Sequence, residues 1–350
     1  MKHLKQSEKE SLAKGIRLLS STVFMVFVVA CLLLILEFLP KTYVAEFQPE
    51  TLVIQDTLLW DREVFEGVDF ENPALNEQVA YGRKLITKTA DVIGPLSSNP
   101  FAGNNLNCSS CHLDGGGKPF AAPFVTVPSQ FPQYRARENK LGTIQERVNG
   151  CMQRSMNGNP LPLQGNEMNA IVAYMEWLSL GKQRGKKVDG NKFITINFPN
   201  RQVDLKHGEE IYTTHCQLCH MQDGQGVRNL NSFTYQYPPL WGNDSYNDGA
   251  GMHRVLTAAQ FIKGNMPLGT TAERPLLTDD EAYDVAGYIN SFSRPVKPEK
   301  EMDFPDRTKK PMSTPYGPWS DDFSSIQHKY GPFNEIADFY KDQFQMVKTK

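Results

Sequence analysis

The chain has 350 residues, with 37 Lys and Arg against 39 Asp and Glu and a formal net charge of −2 at pH 7. Two or three domains fit that length, and the near-balanced charge excludes a nucleic-acid or polyanion binder working through bulk charge. Glycine and proline are plentiful and the charged fraction is ordinary, so the chain reads as globular with substantial loops.

The first predicted element is apolar. Leu18 to Leu36 is a 19-residue stretch without a charge, long enough to span a bilayer as a helix. Lys2, Lys5, Lys9, Lys14 and Arg17 precede it, which predicts a cytoplasmic N-terminus and a body on the outer face. No small-x-small site follows Leu36, so an uncleaved single-pass anchor in a bacterial inner membrane is expected. Cys31, after Val28-Val29-Ala30, offers a lipid anchor as the alternative.

Val79 to Ile86 reads as a helix with Gly82 on its packing face. Beyond it stands Cys108-Ser109-Ser110-Cys111-His112, a Cys-x-x-Cys-His motif. This spacing lets Cys108 and Cys111 form thioethers to the two vinyl arms of one haem and directs His112 at the iron. A redox dithiol needs a βαβ setting and no following histidine; a zinc site needs a second Cys or His pair. A Gly-rich loop follows at Asp114 to Gly117, and Met168, Ile171, Val172, Met175 and Leu178 mark a closing amphipathic helix.

After a basic linker, Gly181 to Gly190, the same frame returns. Leu205 to Tyr212 predicts a helix with Gly208 on its packing face, Cys216-Gln217-Leu218-Cys219-His220 is a second haem motif, and Asp223 to Gly226 is its loop. Ala282, Val285, Ala286 and Ile289 mark the closing helix, with Thr278 and Glu281 as its capping box. This is the helix plan of class I cytochrome c used twice. Gly82 stands 26 positions before Cys108 but Gly208 only eight before Cys216, so the first domain carries an insertion, Asp91 to Asn107. Beyond Pro295 the Pro- and aromatic-rich tail predicts an extended strap. Covalent haem is attached outside the bacterial cytoplasm, so a periplasmic body is expected.

Each iron needs a second ligand. In the second domain Met266, before Pro267, sits between the haem motif and the closing helix, with Met252 and His253 as weaker substitutes. A thioether favours reduced iron. In the first domain Cys151 stands 23 residues before Tyr174, as Met266 stands 22 before Tyr288, which aligns Cys151 with the axial position. Met152 and Met156 are the alternatives. On a helix, Arg147, Cys151 and Ser155 fall at i, i+4 and i+8, placing a cation and a hydroxyl beside the sulfur. Arg135 and Arg137 lie slightly upstream. Arginines grip oxyanions bidentately, so the segment describes a pocket for a small sulfur oxyanion.

These features resemble the thiosulfate dehydrogenases, the tetrathionate-forming dihaem cytochromes. The likeness runs from about Asn76 to Phe333, through both haem motifs, Arg147 to Gly158, Met266-Pro267, Pro315 to Pro318 and Gln327 to Phe333. It implies oxidation of two thiosulfates to tetrathionate, with reversal in some members. It also implies that Cys151 is both iron ligand and sulfur-chemistry centre, leaving the iron to hold a thiosulfate-derived adduct. Arg137, Arg147 and Ser155 would then position substrate. Electrons would leave through the second haem to a cytochrome or terminal oxidase. Some relatives carry a lysine before the methionine; here Asn265 stands there and is not expected to bind iron.

The expected organisation is all-α: a basic end and anchor over 1–44, an extension over 45–75, and cytochrome c domains over 76–180 and 201–297. A linker fills 181–200 and the strap 298–350. Two other functions stay open: a non-catalytic membrane-bound dihaem relay, and a haem subunit of a sulfur-oxidising complex resembling SoxA.

Overall fold

Asn72 and Pro73 start the first helix of the haem-bearing part. Asn72 accepts a hydrogen bond from the Ala74 amide at 3.0 Å, and Pro73 has no amide to leave unsatisfied at the first helical position. The computed structural model describes residues 14, 15, 17–30, 72–180 and 188–350. The chain divides into two compact units, Met1–Glu50 and Thr51–Lys350, and both haem motifs lie in the second.

Helix α1 is Pro73–Thr87. A short hairpin, β1 Gln133–Arg135 with β2 Lys140–Gly142, leads into α2, Ile144–Met152. Thr143 and Glu146 cap α2 reciprocally, satisfying two of its free amides. Helix α3, Asn166–Trp177, turns Met168, Ala170, Ile171, Tyr174 and Met175 inward. It crosses α1 at Gly82, where a Cβ would stand 2.0 Å from the Ala170 carbonyl oxygen and 2.7 Å from Tyr174 Cβ. Only a residue without a side chain allows that approach.

The second domain repeats the crossing. Helix α4, Leu205–His215, is capped by Asp204; a hairpin of β3 Val227–Arg228 and β4 Tyr235–Tyr237 follows its haem motif. Helices α5, Val255–Asn265, and α6, Asp279–Ser291, complete it, the latter opening on the expected Thr278–Glu281 capping box. At Gly208 a Cβ would stand 2.2 Å from the Asp284 carbonyl oxygen and 2.9 Å from Tyr288 Cβ. Asp284 is fully buried and fastens this corner, accepting from Arg201, His207 and the Asp204 amide.

The two domains share polar contacts. Asn104 donates to the carbonyls of Ser155 and Ser245 at 2.9 and 3.1 Å, and Asn105 binds Asp244. Asp91 accepts from Ser232. The first-domain insertion is therefore part of the surface on which the second domain docks.

Two expectations are corrected. The tail is not an extended strap throughout: it forms α7, Ser325–Tyr330, and α8, Asn334–Phe344. Phe333, Ile336 and Tyr340, spaced by three and four, enter the second core. The expected transmembrane helix is also overturned, because no helix among the described residues is long and apolar enough to cross a membrane. The membrane as a partner and the single-pass inner-membrane location fall with it. Residues 31–36 of that expected span, Cys31, and the linker residues 181–187 lie outside the described residues.

The glycine crossings make a direct prediction. Gly208→Ala should cost about 2–3 kcal/mol through overpacking, measured as a lower thermal midpoint at unchanged haem content. An unaltered midpoint would show that the crossing relaxes freely.

Candidate haem and sulfur site

Both motif histidines are held alike. His112 Nδ1 lies 2.6 Å from the Ala122 carbonyl oxygen, and His220 Nδ1 lies 2.8 Å from that of Pro238. Donating Nδ1–H to a carbonyl fixes the tautomer and leaves the Nε2 lone pair for a metal. Burial pushes His112 down to about 4 and lowers His220 as well, so both rings are neutral. The thiols carry the opposite signature to a redox dithiol. Burial pushes Cys108 up to about 11 and Cys111 and Cys216 up to about 12, whereas reactive dithiols have depressed values. Among the described residues no group of three or more His, Cys, Asp or Glu is placed to hold a metal ion on its own. A zinc site is thereby excluded among the described residues, and the donor set fits haem.

A cavity of about 790 Å³ is shaped for the second group. Cys216, Cys219, His220, Met252 and Met266 line it from one side, and Ser110 and Cys111 of the first motif from the other. Met266 follows directly on the C-terminus of α5. His253, the other substitute, is buried with Nδ1 on the Asp248 carbonyl and is absent from this lining. Asn265 is fully buried; its amide nitrogen donates to the carbonyls of Phe120 and Phe261 at 3.0 and 3.1 Å.

In the first domain α2 brings Arg147 and Cys151 to the haem motif. Arg147 Nη1 donates to Cys151 Sγ at 2.7 Å. The sulfur acts electrostatically on Cys108 and Cys111, and Arg147 acts on His112. Met152 and Met156, the competing ligands, are buried in the core, whereas Cys151 is half-exposed. The i+8 position is not realised: α2 ends at Met152, so Ser155 lies in the turn beyond it and meets Asn104 through its carbonyl.

Arg137 is placed by residues the sequence did not single out. Its Nη1 donates to Asp303 at 2.6 Å, to Tyr316 at 3.0 Å and to the Gly249 carbonyl at 3.3 Å. Asp303 also accepts from Arg154 at 2.5 Å. Arg135 pairs with Glu138. No sequence signal announces Asp303, which lies 149 residues from Arg154.

Two cytochrome c units within one compact unit make this a dihaem c-type cytochrome. The SoxA/TsdA cytochrome c domain matches residues 98–183, and the cytochrome c domain matches residues 205–293. The chain is 43% identical over 203 residues to a thiosulfate dehydrogenase of Psychrobacter arcticus, covering 58% of this chain and 61% of that protein. To a thiosulfate dehydrogenase of Allochromatium vinosum it is 42% identical over 234 residues, covering 66% of this chain and 83% of the relative. The solved thiosulfate dehydrogenase of Marichromatium purpuratum superposes with a TM-score of 0.61 at 37% identity, over 67% of this chain and 49% of that one. The chain belongs to the thiosulfate dehydrogenase family.

Asp303 supplies a pH-dependent prediction. Burial raises its carboxyl, but the charges of Arg137 and Arg154 outweigh this and hold it below its ordinary value. Its stabilisation is therefore present at neutral pH and fades as pH falls below about 4 toward the native value. Asp303→Asn should cost about 3–5 kcal/mol at pH 7, and the gap from wild type in denaturant unfolding should narrow on acidification. A gap independent of pH would refute the ion-pair account.

Proposed function

We propose that this chain oxidises two thiosulfates to tetrathionate, and in reverse reduces tetrathionate, at its first haem. In this reading Cys108 and Cys111 hold that haem, with His112 and Cys151 as its ligands. Cys216 and Cys219 hold the second, with His220 and Met266 as ligands. The first domain, 76–180, is catalytic, and the second, 201–297, passes electrons to a partner cytochrome or oxidase. The observation that carries the proposal is the Arg147 guanidinium at 2.7 Å from the Cys151 sulfur, on a helix facing the haem motif.

The haems, when bound, accept one at a time the two electrons that sulfur coupling releases. The chain's own residues do the rest. Joining the Cys151 thiolate to the terminal sulfur of one thiosulfate, with loss of two electrons, gives a cysteine-bound S–S–SO₃⁻ group. The second thiosulfate attacks that group at its sulfonate-bearing sulfur; tetrathionate leaves and the Cys151 thiolate returns. Arg147 holds the first anion at the sulfur. The singly charged adduct and a thiosulfate dianion 4 Å apart repel by about 8 kcal/mol at an effective dielectric of 20, so fixed cations at the pocket lower the barrier. A non-catalytic relay needs neither Arg147 nor a half-exposed sulfur at this place.

Cys151→Gly should abolish thiosulfate-dependent reduction of an artificial acceptor, with both haems still attached by mass and pyridine haemochrome spectrum. Tetrathionate formation persisting in the variant would refute the cysteine-centred mechanism. Met266→Gly should shift the spectrum and potential of the second haem while the first keeps its own.

A further inference from the structure

Asn265 joins the surroundings of the two haems. It is the last residue of α5 and is followed directly by Met266, the proposed ligand of the second haem. Its amide nitrogen reaches out of the second domain and donates to the Phe120 carbonyl at 3.0 Å. Phe120 belongs to the loop that orients the other iron's histidine, because His112 Nδ1 lies 2.6 Å from the carbonyl oxygen of Ala122, two residues on. Phe124 of that loop also packs on the His112 ring, with centroids 4.5 Å apart.

This loop does not hold its shape alone. Phe120 and Ala122 stand at φ of +60° and +49°, a left-handed region that residues with a Cβ rarely adopt. Such conformations persist only where the surroundings over-determine them. Here the surroundings grip Phe120 at both ends of its peptide units: its amide donates to the Gly190 carbonyl at 2.7 Å, and its carbonyl accepts from Asn265. Asn265 itself is fully buried, and its amide oxygen has no partner. An orphaned buried acceptor is destabilising, so packing alone favours an apolar residue at this place, and the use of the amide lies in the bonds it donates. One of these, to Phe261 at 3.1 Å, stays within α5; the bond to Phe120 crosses to the first domain. We infer that Asn265 is a positioning residue for the first haem, pinning from the second domain the loop that holds His112. A histidine that donates Nδ1–H firmly is a more basic ligand and favours oxidised iron, so loosening the loop raises the potential of the first haem. The inference rests on the proposed ligation of that haem by His112 and is independent of thiosulfate turnover.

The full-length dihaem protein is titrated potentiometrically as wild type, Asn265→Leu, Asn265→Ala and Met266→Gly. Electron paramagnetic resonance separates the thiolate-ligated from the thioether-ligated iron, and tetrathionate formation is assayed in parallel. Both Asn265 variants should raise the potential of the first haem and shift its resonance signal at unchanged haem content. Met266→Gly keeps the Asn265 amide and should move the second haem alone. A first haem unaltered in the Asn265 variants overturns the inference, whatever the second haem does, and leaves the proposed activity standing if tetrathionate is still made. An equal shift of the first haem in Met266→Gly also overturns it, because the effect then travels through the second haem. A shifted first haem in a protein whose wild type makes no tetrathionate sustains the inference and overturns the proposed activity instead.

Discussion

The near-contact of two backbones, made once in each cytochrome domain, is the constraint on which this molecule is built. Gly82 lets α1 lie against Ala170 and Tyr174, and Gly208 lets α4 lie against Asp284 and Tyr288. Because the first and last helices are locked in the same way twice, the segments between them are presented in equivalent frames. Cys151 lies in the last turn of α2 and Met266 directly after α5, and in the proposed reading each supplies the second ligand of its haem. A thiolate and a thioether tune iron in opposite directions. The fold therefore supplies the scaffold twice and leaves the chemistry to local substitution.

Charge at the sulfur site is arranged by subtraction. Four guanidiniums, from Arg137, Arg147, Arg154 and Arg254, stand together, and Asp303 neutralises part of that charge by bridging Arg137 and Arg154. Tyr316 completes the cradle by donating to Asp303 at 2.8 Å. The carboxylate comes from the tail, so the tail fixes Arg137 and Arg154 and leaves Arg147 without a carboxylate partner among the described residues. Binding two dianions and excluding stray anions are opposed requirements, and a single buried carboxylate among many cations is an intermediate solution.

Much of this was legible in the chain. The haem motifs, the repeated helices with their glycines, the α6 capping box, and the Arg147–Cys151 spacing of four all follow from local rules, and the structure contains each. What was not legible is long-range or depends on where a pattern stops. Ser155 shares a helical face with Arg147 only if the helix continues, and α2 ends at Met152. The tail's helices were hidden because their apolar positions, Phe333, Ile336 and Tyr340, are few and follow a run of prolines and aromatics. Leu18 to Leu36 has the composition of a span, yet no helix among the described residues is long and apolar enough to cross a membrane. Asp303 carries no motif; only the tertiary fold brings it to Arg137 and Arg154.

The interface of the two domains passes beside the turn that follows α2. The interface joins directional bonds to apolar packing, with Tyr246 and Ala250 of the second domain entering the first core. Asn247 donates through its backbone amide to the Arg154 carbonyl at 3.2 Å, and through its side chain to the Gln153 carbonyl and Asn157 at 2.9 and 3.0 Å. Asn104, which donates to the Ser155 carbonyl within the first domain, also donates to the Ser245 carbonyl of the second. These bonds fall on the turn that immediately follows Cys151, so the second domain grips the first at the site rather than at a distance. Helix α5 then carries Arg254 at its N-cap and runs about 16 Å at 1.5 Å per residue to Met266. The same helix thus begins at the interface and presents at its far end the proposed ligand of the second haem.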